Sequence, residues 1–273
     1  MKIGFLSGPL DGIDVKEVFA FAKTTGASTL ELTAWPSNQN IRKEAAEFGL
    51  EISAIGYYAN SLDADKGAAR ANLEGLYRAI DYAARNDVNL VCTLIGGSPY
   101  LTLDENLRQA EERIAPAVDY ADSHGIRLAF ENNPKLGPFG SANIGYSPAL
   151  WDSIFKKIPK IGLELDPSHL IWQGIDYLRA ARDYAPKILH VHAKDAEIIN
   201  DKLSRTGILG SGWWRYRLPG WGNIDWRAFI TSLAEGGYDG SIDLELDDFV
   251  YKGSVSEVKK GISAGVSYLS QLT

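Results

Sequence analysis

Residues 188–195 have the sequence ILHVHAKD, which predicts a buried strand with polar groups along one face. Two apolar residues open the stretch, and His190, His192 and Lys194 then occupy alternate positions. Side chains two positions apart in a strand point to the same side, so these three groups face one way. Burying them together costs free energy unless partners or a metal compensate. Matching side chains are therefore expected on neighbouring strands.

Short apolar stretches of this kind recur along the 273 residues, and most are bounded by Gly, Pro, Asn or Asp. They lie at residues 2–7, 29–35, 51–58, 89–97, 127–133, 161–166, 188–195 and 241–247. Segments with a helical spacing of apolar residues separate them. Strands alternating with helices predict a parallel sheet, and eight repeats are the number that closes a barrel. The sequence predicts the α/β class, a (β/α)8 TIM barrel, with residues 1–273 as a single domain.

Composition narrows the range of partners. The net charge of −7 argues against a nucleic-acid partner, which attracts basic surfaces. The sequence contains no apolar run of the roughly 20 residues that a membrane span requires, so no membrane association is expected. The start, MKIGFLSGPLDG, becomes polar and Gly-rich too early for a signal peptide, which predicts a cytoplasmic protein. The single cysteine, Cys92, lies in an apolar run and is expected to be a buried, reduced thiol.

Helix starts are marked by capping residues. Asp14, Ser147, Asp225 and Ser254 each precede a segment with helical periodicity, and Pro148 stands at the first position after Ser147.

One connection is far longer than the others. Residues 196–223 separate the strand at 188–195 from the helix that follows Asp225, and loops beyond about 15 residues in compact domains are usually functional or disordered. This loop contains Trp213, Trp214, Tyr216 and Trp221, an aromatic content that disfavours disorder. We expect it to lie over the barrel mouth, where Trp214 and its neighbours either stack on sugar rings or seal the loop or a subunit interface.

Acidic residues and a histidine end four consecutive strands. Glu131, Asp166, His192 and Glu245 fall at equivalent positions on the fifth to eighth strands. The carboxyl ends of barrel strands surround the active site, so these side chains are expected to converge there. Three carboxylates and one imidazole would repel or remain unpaired without a cation, and this donor set suits Mn²⁺ or another divalent metal.

These residues also carry a family resemblance. The order of Glu in AFENN, Asp in LELDPSH, His in HVHAKD and Glu in IDLEL resembles the xylose isomerase-like TIM-barrel superfamily. Within it, the chain is most similar to the sugar phosphate isomerase/epimerase family, which includes ketose 3-epimerases and inosose-processing enzymes. The segment LPGWGNIDW resembles that family's PGxGxxDW element.

The resemblance implies a set of roles. Glu131, Asp166, His192 and Glu245 would bind a divalent metal, most often Mn²⁺, with Mg²⁺, Co²⁺ or Zn²⁺ as alternatives. The two glutamates would also be the catalytic acid/base pair on opposite faces of a carbohydrate substrate. His169 would touch the substrate or the groups around the metal, and Arg217 would contact sugar oxygens. Members of the family often form homo-oligomers, as dimers or tetramers.

Several contacts remain open at this level. His190 either packs beneath the metal or bonds to Glu164 or Glu31. Lys194 either contacts a substrate oxygen or neutralises Asp195 or Asp247. Trp35 forms either an apolar wall of the substrate site or part of the core.

The expected activity is metal-dependent isomerisation or epimerisation of a sugar or keto-sugar, such as a keto-glycoside or inosose. Proton abstraction next to a carbonyl would give an enediolate whose charge the metal stabilises. The alternative is a lyase or hydrolase that follows the same abstraction by elimination. An apurinic-type endonuclease is disfavoured because the chain is acidic and has only four histidines.

Overall fold

Eight parallel strands close into a barrel in the computed structural model, which describes residues 1–36, 40–137 and 140–273. Each strand pairs with its sequence neighbours, and the first pairs with the last. The predicted TIM barrel is therefore confirmed. The strands span Lys2–Leu6, Thr29–Leu32, Glu51–Tyr57, Leu90–Thr93, Arg127–Glu131, Gly162–Leu165, Ile188–Ala193 and Ser241–Leu244.

Helices connect the strands and surround the barrel. Their bounds are Val15–Thr25, Ile41–Glu47, Lys66–Arg85, Leu103–Ser123, Pro148–Lys157, Ser168–Ile171, Tyr177–Asp183, Asn200–Thr206, Trp226–Glu235 and Val255–Leu269. No helix in the described parts of the chain is both long and apolar enough to cross a membrane.

Three of the four predicted caps are confirmed. The side chains of Asp14, Asp225 and Ser254 each accept a hydrogen bond from a backbone N–H in the first turn of the following helix. The fourth prediction was wrong in part, because Ser147 makes no such bond. Pro148 stands at the first helical position as expected, where its missing N–H costs nothing.

The strands end earlier than the apolar pattern predicts. The second ends at Leu32 and the seventh at Ala193, so Trp35 and Lys194 follow their strands. Both residues lie in the loops at the barrel mouth, outside the hydrogen-bonded strands. Inside the barrel, a small apolar layer of Ala54, Leu90, Cys92 and Ala129 lies apart from the main core between strands and helices. Cys92 is fully buried, as predicted.

The long connection after the seventh strand is an ordered excursion. Asp195–Ile198 pairs with Trp214–Arg217 as an antiparallel ladder, and the helix Asn200–Thr206 lies between them. We call residues 195–217 the hairpin excursion. An irregular loop had been expected here, but the alternation of aromatic and Arg residues in Trp214–Arg217 suits a strand.

The side chain of Asp195 fixes the base of the excursion. Its carboxylate accepts hydrogen bonds from the backbone N–H groups of Ala196 (2.8 Å), Gly220 (3.0 Å) and Ile224 (3.1 Å) and from the Trp226 indole (2.9 Å). Gly222 lies so close that a Cβ there would be 2.2 Å from the carboxylate, so only glycine fits. The PGxGxxDW element thus wraps around a buried carboxylate.

Candidate metal centre and active site

The four predicted metal ligands converge at the mouth of the barrel. One donor atom from each of Glu131, Asp166, His192 and Glu245 lies within 4.8 Å of the other three. The Nδ1 atom of His192 is 3.4 Å from Glu131 and 3.2 Å from Glu245. Glu131 belongs to the fifth strand and Glu245 follows the eighth, so they approach this nitrogen from the two ends of a four-strand arc. The described residues thus bring the whole predicted set together.

The local chemistry fits a divalent cation. Asp166 Oδ1 accepts a hydrogen bond from Ser168 N (2.8 Å), whereas the buried Oδ2 accepts no hydrogen bond of good geometry. Carboxylate oxygens with one imidazole nitrogen form a mixed donor set that suits Mn²⁺ or Zn²⁺.

Electrostatics point the same way. Burial by itself would lower the pKa of both buried strand histidines, yet the surrounding carboxylates raise the pKa of His190 to about 10 and that of His192 well above its ordinary value. Positive charge is therefore strongly favoured among these carboxylates.

Lys194 contacts different carboxylates from those expected. Its ammonium lies 3.0 Å from Asp166 Oδ2 and 2.5 Å from Glu245 Oε2, and it is almost completely buried. Of the two alternatives for Lys194, pairing with Asp195 or Asp247 is wrong: Asp195 binds backbone groups, and Asp247 pairs with Lys252. The physical reason is proximity, since the side chain turns inward toward the densest negative charge.

His169 lies at the centre of the polar contacts around this site. Its Nε2 is 3.3 Å from Glu131, 3.3 Å from Asp166 and 3.2 Å from the Lys194 ammonium. Its other nitrogen, Nδ1, is 2.8 Å from the hydroxyl of Tyr216. Tyr216 comes from the hairpin excursion; it was predicted among the aromatic residues at the mouth, but its contact with His169 was not. The strand pattern of residues 214–217, which puts Trp214 and Tyr216 on one face, was the available signal.

A second polar layer lies directly below, inside the barrel. His190 Nε2 is 3.2 Å from both Glu31 and Asp243 and 4.0 Å from Glu164, which are ion-pair distances, and it forms no hydrogen bond of good geometry with any of them. Asp243 was not anticipated as its partner. Tyr58, also missed, donates its hydroxyl to Glu31 and lies 3.0 Å from Glu164. The predicted strand at 51–58 contains Tyr58, and its period of two puts Tyr58 on the same face as Ala54 and Gly56, which was the available signal.

The remaining predicted substrate contacts lie farther out. Arg217 donates to Asp248 (2.9 Å) and Glu197 (2.7 Å), so its guanidinium is engaged with carboxylates of the chain. The Trp214 ring stacks on Trp172, with centroids 4.4 Å apart and planes 1° from parallel.

Trp35 packs against a helix. Its ring lies 5.0 Å from that of Tyr82, a residue of the outer helix Lys66–Arg85, which favours the core alternative over a wall of the substrate site.

Comparison with known proteins agrees with this architecture. A closed parallel barrel with carboxylate and histidine groups gathered at its mouth defines a class of TIM-barrel proteins. The profile of the xylose isomerase-like TIM barrel family matches residues 19–272, and the chain belongs to this family.

Two curated relatives illustrate the range of the family. The chain is 25% identical to the uncharacterized protein YfiH of Bacillus subtilis, over 96% of this chain and 100% of that protein. It is 29% identical to inosose dehydratase of Lacticaseibacillus casei over 157 residues, which cover 55% of this chain and 49% of that enzyme.

Solved structures show the same fold. The zinc-bound IolI protein superimposes with a TM-score of 0.77 at 16% identity, over 100% of this chain and 99% of the other. The 3-keto-D-glucoside 4-epimerase of E. coli superimposes with a TM-score of 0.75 at 15% identity, over 99% of each chain. At these identities the likeness shows the fold alone.

Proposed function

We propose that the protein is a divalent-metal-dependent isomerase or epimerase of a sugar or keto-sugar. One observation carries the proposal: Glu131 and Glu245 face the same nitrogen of His192 from opposite ends of the ligand arc, at 3.4 Å and 3.2 Å. Two carboxylates that flank one position suit the removal of a proton from one side of a carbon and its return from the other.

Both glutamates are ionised at neutral pH. Burial alone would raise the pKa of Glu245, but Lys194 and His192 outweigh it and hold the pKa at about 2. Burial likewise opposes ionisation of Glu131, and bonds from His169 and His192 bring its pKa well below the ordinary value. Each side chain is therefore in the carboxylate form that a proton acceptor requires.

The metal would be held by Glu131, Asp166, His192 and Glu245. When bound, a divalent cation supplies Lewis-acid stabilisation of negative charge on the substrate's carbonyl oxygen. The proton transfers belong to the chain: one glutamate removes the proton next to the carbonyl, and the opposite one returns it. Return to the same carbon from the opposite face inverts it. Return to the former carbonyl carbon, with the hydroxyl proton of the first carbon passing to the former carbonyl oxygen, isomerises the sugar.

We assign the substrate contacts to the groups nearest this position. Lys194 and His169 present N–H donors beside the glutamates and would hold substrate oxygens. Trp214 would form an outer wall, with its ring stacked on Trp172. Arg217 and Trp35 would act indirectly, because the guanidinium is bound by two carboxylates and the indole packs on Tyr82.

The hairpin excursion favours a substrate larger than a free ketose. It brings Trp214 and Tyr216 to the mouth, and rigid aromatic surfaces suit the apolar faces of sugar rings. A keto-glycoside or an inosose fits this description. The relationship to an inosose dehydratase, matched over 55% of this chain and 49% of that enzyme, supports this substrate class.

Lyase chemistry is the second candidate, and Lys194 is the observation that favours it. An elimination requires a proton donor for the leaving oxygen, and the Lys194 ammonium lies 2.5 Å from Glu245 and 3.2 Å from His169. A dehydratase or a keto-glycoside-cleaving enzyme would use the same abstraction and then expel water or an aglycone.

Incubation in D₂O with Mn²⁺ separates the two candidates. Ketoses, inososes and 3-keto-glucosides are followed by NMR and mass spectrometry. Deuterium retained at carbon in an epimer or isomer supports the proposal, whereas loss of water or aglycone supports the lyase. Protein that neither binds metal nor exchanges any of these substrates contradicts both.

A matched pair of variants tests the role of the glutamate. Glu245→Gln should abolish deuterium exchange, because the amide cannot accept the proton. Asp247→Asn changes a carboxylate two residues along the same loop, which pairs with Lys252, and should leave exchange unchanged. Equal exchange in both variants would remove Glu245 from the reaction.

A further inference from the structure

His192 lies between two pairs of carboxylates that face its two ring nitrogens. On the mouth side, Nδ1 faces Glu131 and Glu245. On the inner side, Nε2 is 2.8 Å from Glu31 Oε2 and 3.0 Å from Glu164 Oε1. The two sides differ in depth: Glu31 and Glu164 are completely buried, whereas the Glu245 side chain is 20% exposed.

A histidine binds a metal through the lone pair of one nitrogen while the other carries its hydrogen. Such ligands almost always donate that hydrogen to a carboxylate, carbonyl or water, which fixes the ring. Since Nδ1 faces the predicted metal ligands, the hydrogen must be on Nε2. The nearest acceptor of that hydrogen is Glu31.

The barrel is shaped to hold the Glu31 carboxylate at this place. Its Oε1 receives the hydroxyl of Tyr58, and its Oε2 lies 3.2 Å from His190 Nε2. On the adjacent strand, a Cβ at Gly56 would lie 2.6 Å from Glu31 Oε1 and 2.8 Å from the Tyr58 ring. The missing side chain at Gly56 therefore makes room for both groups.

We propose that Glu31 is a positioning residue that accepts the Nε2–H of His192 and so presents the Nδ1 lone pair to the metal. The inference rests on the metal site of the proposed function. The second strand supplies none of the four ligands. Through Glu31, it would instead fix the tautomer and the orientation of the histidine ligand.

A competing use of the same residues is a second cation held by Glu31, Glu164, His190 and His192, whose donor atoms also lie within 4.8 Å of one another. That arrangement would take the Nε2 lone pair of His192. With Nδ1 already bound to a metal, the ring would have to lose both hydrogens. The two arrangements exclude each other, and measurement can separate them.

The tautomer is read directly from the wild-type protein. Protein labelled with ¹⁵N-histidine is loaded with diamagnetic Zn²⁺, and long-range ¹H–¹⁵N correlation spectra show which nitrogen of His192 carries the hydrogen. The expected result is the Nε2–H form with Zn²⁺ on Nδ1, at one Zn²⁺ per chain. An Nδ1–H form, or two Zn²⁺ per chain with the second lost in Glu31→Gln, would overturn the inference.

Metal affinity provides the second measurement. Glu31→Gln should weaken Mn²⁺ binding about 10- to 100-fold in calorimetric titration, because the neutral amide is a weaker acceptor and can also turn its NH₂ toward Nε2. Glu47→Gln, an exposed change on the helix Ile41–Glu47, should bind Mn²⁺ like wild type. Wild-type affinity in a folded Glu31→Gln protein contradicts the inference alone, whereas a wild-type chain that binds neither metal overturns it together with the proposed function.

Discussion

Replacing Asp195 should destabilise the protein more than its position in a connecting segment suggests. Three of the four donors bound by its carboxylate, Ala196 N, Ile224 N and the Trp226 indole, are buried. A buried donor left without a partner costs about 1–3 kcal/mol, so Asp195→Ala should lower the free energy of unfolding by roughly 3–6 kcal/mol after partial rehydration. Domains are commonly stable by about 5–15 kcal/mol, so the variant would be marginal.

The amide variant keeps the measurement possible if the alanine variant does not fold. Asp195→Asn retains one acceptor oxygen and turns an NH₂ group toward two donors, which should cost about 2–3 kcal/mol. Urea unfolding followed by tryptophan fluorescence measures both variants. Asp201→Ala, an exposed change within the excursion, is the control and should stay within about 0.5 kcal/mol of wild type. An Asp195→Ala protein within about 1 kcal/mol of wild type, at an unchanged urea slope, would refute this reasoning.

Three further outcomes are expected. Burial raises the pKa of the Cys92 thiol well above its ordinary value, so the native protein should not react with a disulfide reagent at pH 8, and rapid labelling before unfolding would contradict this. Burial alone would raise the pKa of Asp248, but hydrogen bonds from Arg217 and the backbone outweigh burial, and the pKa is lowered. The ionised carboxylate therefore stabilises the fold above about pH 4, and this stabilisation is lost as the pH falls. The stability difference between wild type and Asp248→Asn, measured by urea unfolding, should therefore shrink from pH 6 to pH 3, and a constant difference would exclude the ion pair as its cause. Trp214→Ala should raise the KM for a keto-glycoside about 2- to 10-fold, because an aromatic contact contributes about 0.5–1.5 kcal/mol, and should leave the KM for a free ketose unchanged. An equal rise in KM for both substrates would show that Trp214 has only a structural role.

The four predicted ligands could be found from sequence because strand geometry is local and repetitive. Glu131, Asp166, His192 and Glu245 stand at the same point of four consecutive strands, and barrel closure brings those points together. The apolar pattern predicted each barrel strand but made most of them too long. The buried loop residues that follow a strand at the mouth are as apolar as the strand itself, so the pattern does not show where the strand ends.

Which side chains form ion pairs or hydrogen bonds inside the site could not be predicted, because the sequence pattern gives no distances between strands. The Lys194 side chain can reach several carboxylates, and only the folded barrel shows that Asp166 and Glu245 are nearest. Tyr58 lies just beyond its strand, and Tyr216 enters from an excursion that folds back over the mouth. Such contacts between residues far apart in sequence require the three-dimensional arrangement.

The carboxylate of Asp195 joins the start of the hairpin excursion, directly after Lys194, to residues 220–226, which follow the excursion and lead into the helix Trp226–Glu235. Because the ends are fixed there, the chain between them can change in length and composition without displacing the ligand arc. On the proposed function, the glutamates that transfer protons and the Trp214 side chain of the excursion therefore belong to parts of the chain that can change independently. On the proposed function, a protein with the same barrel and a different excursion would keep the proton transfer and accept a different substrate.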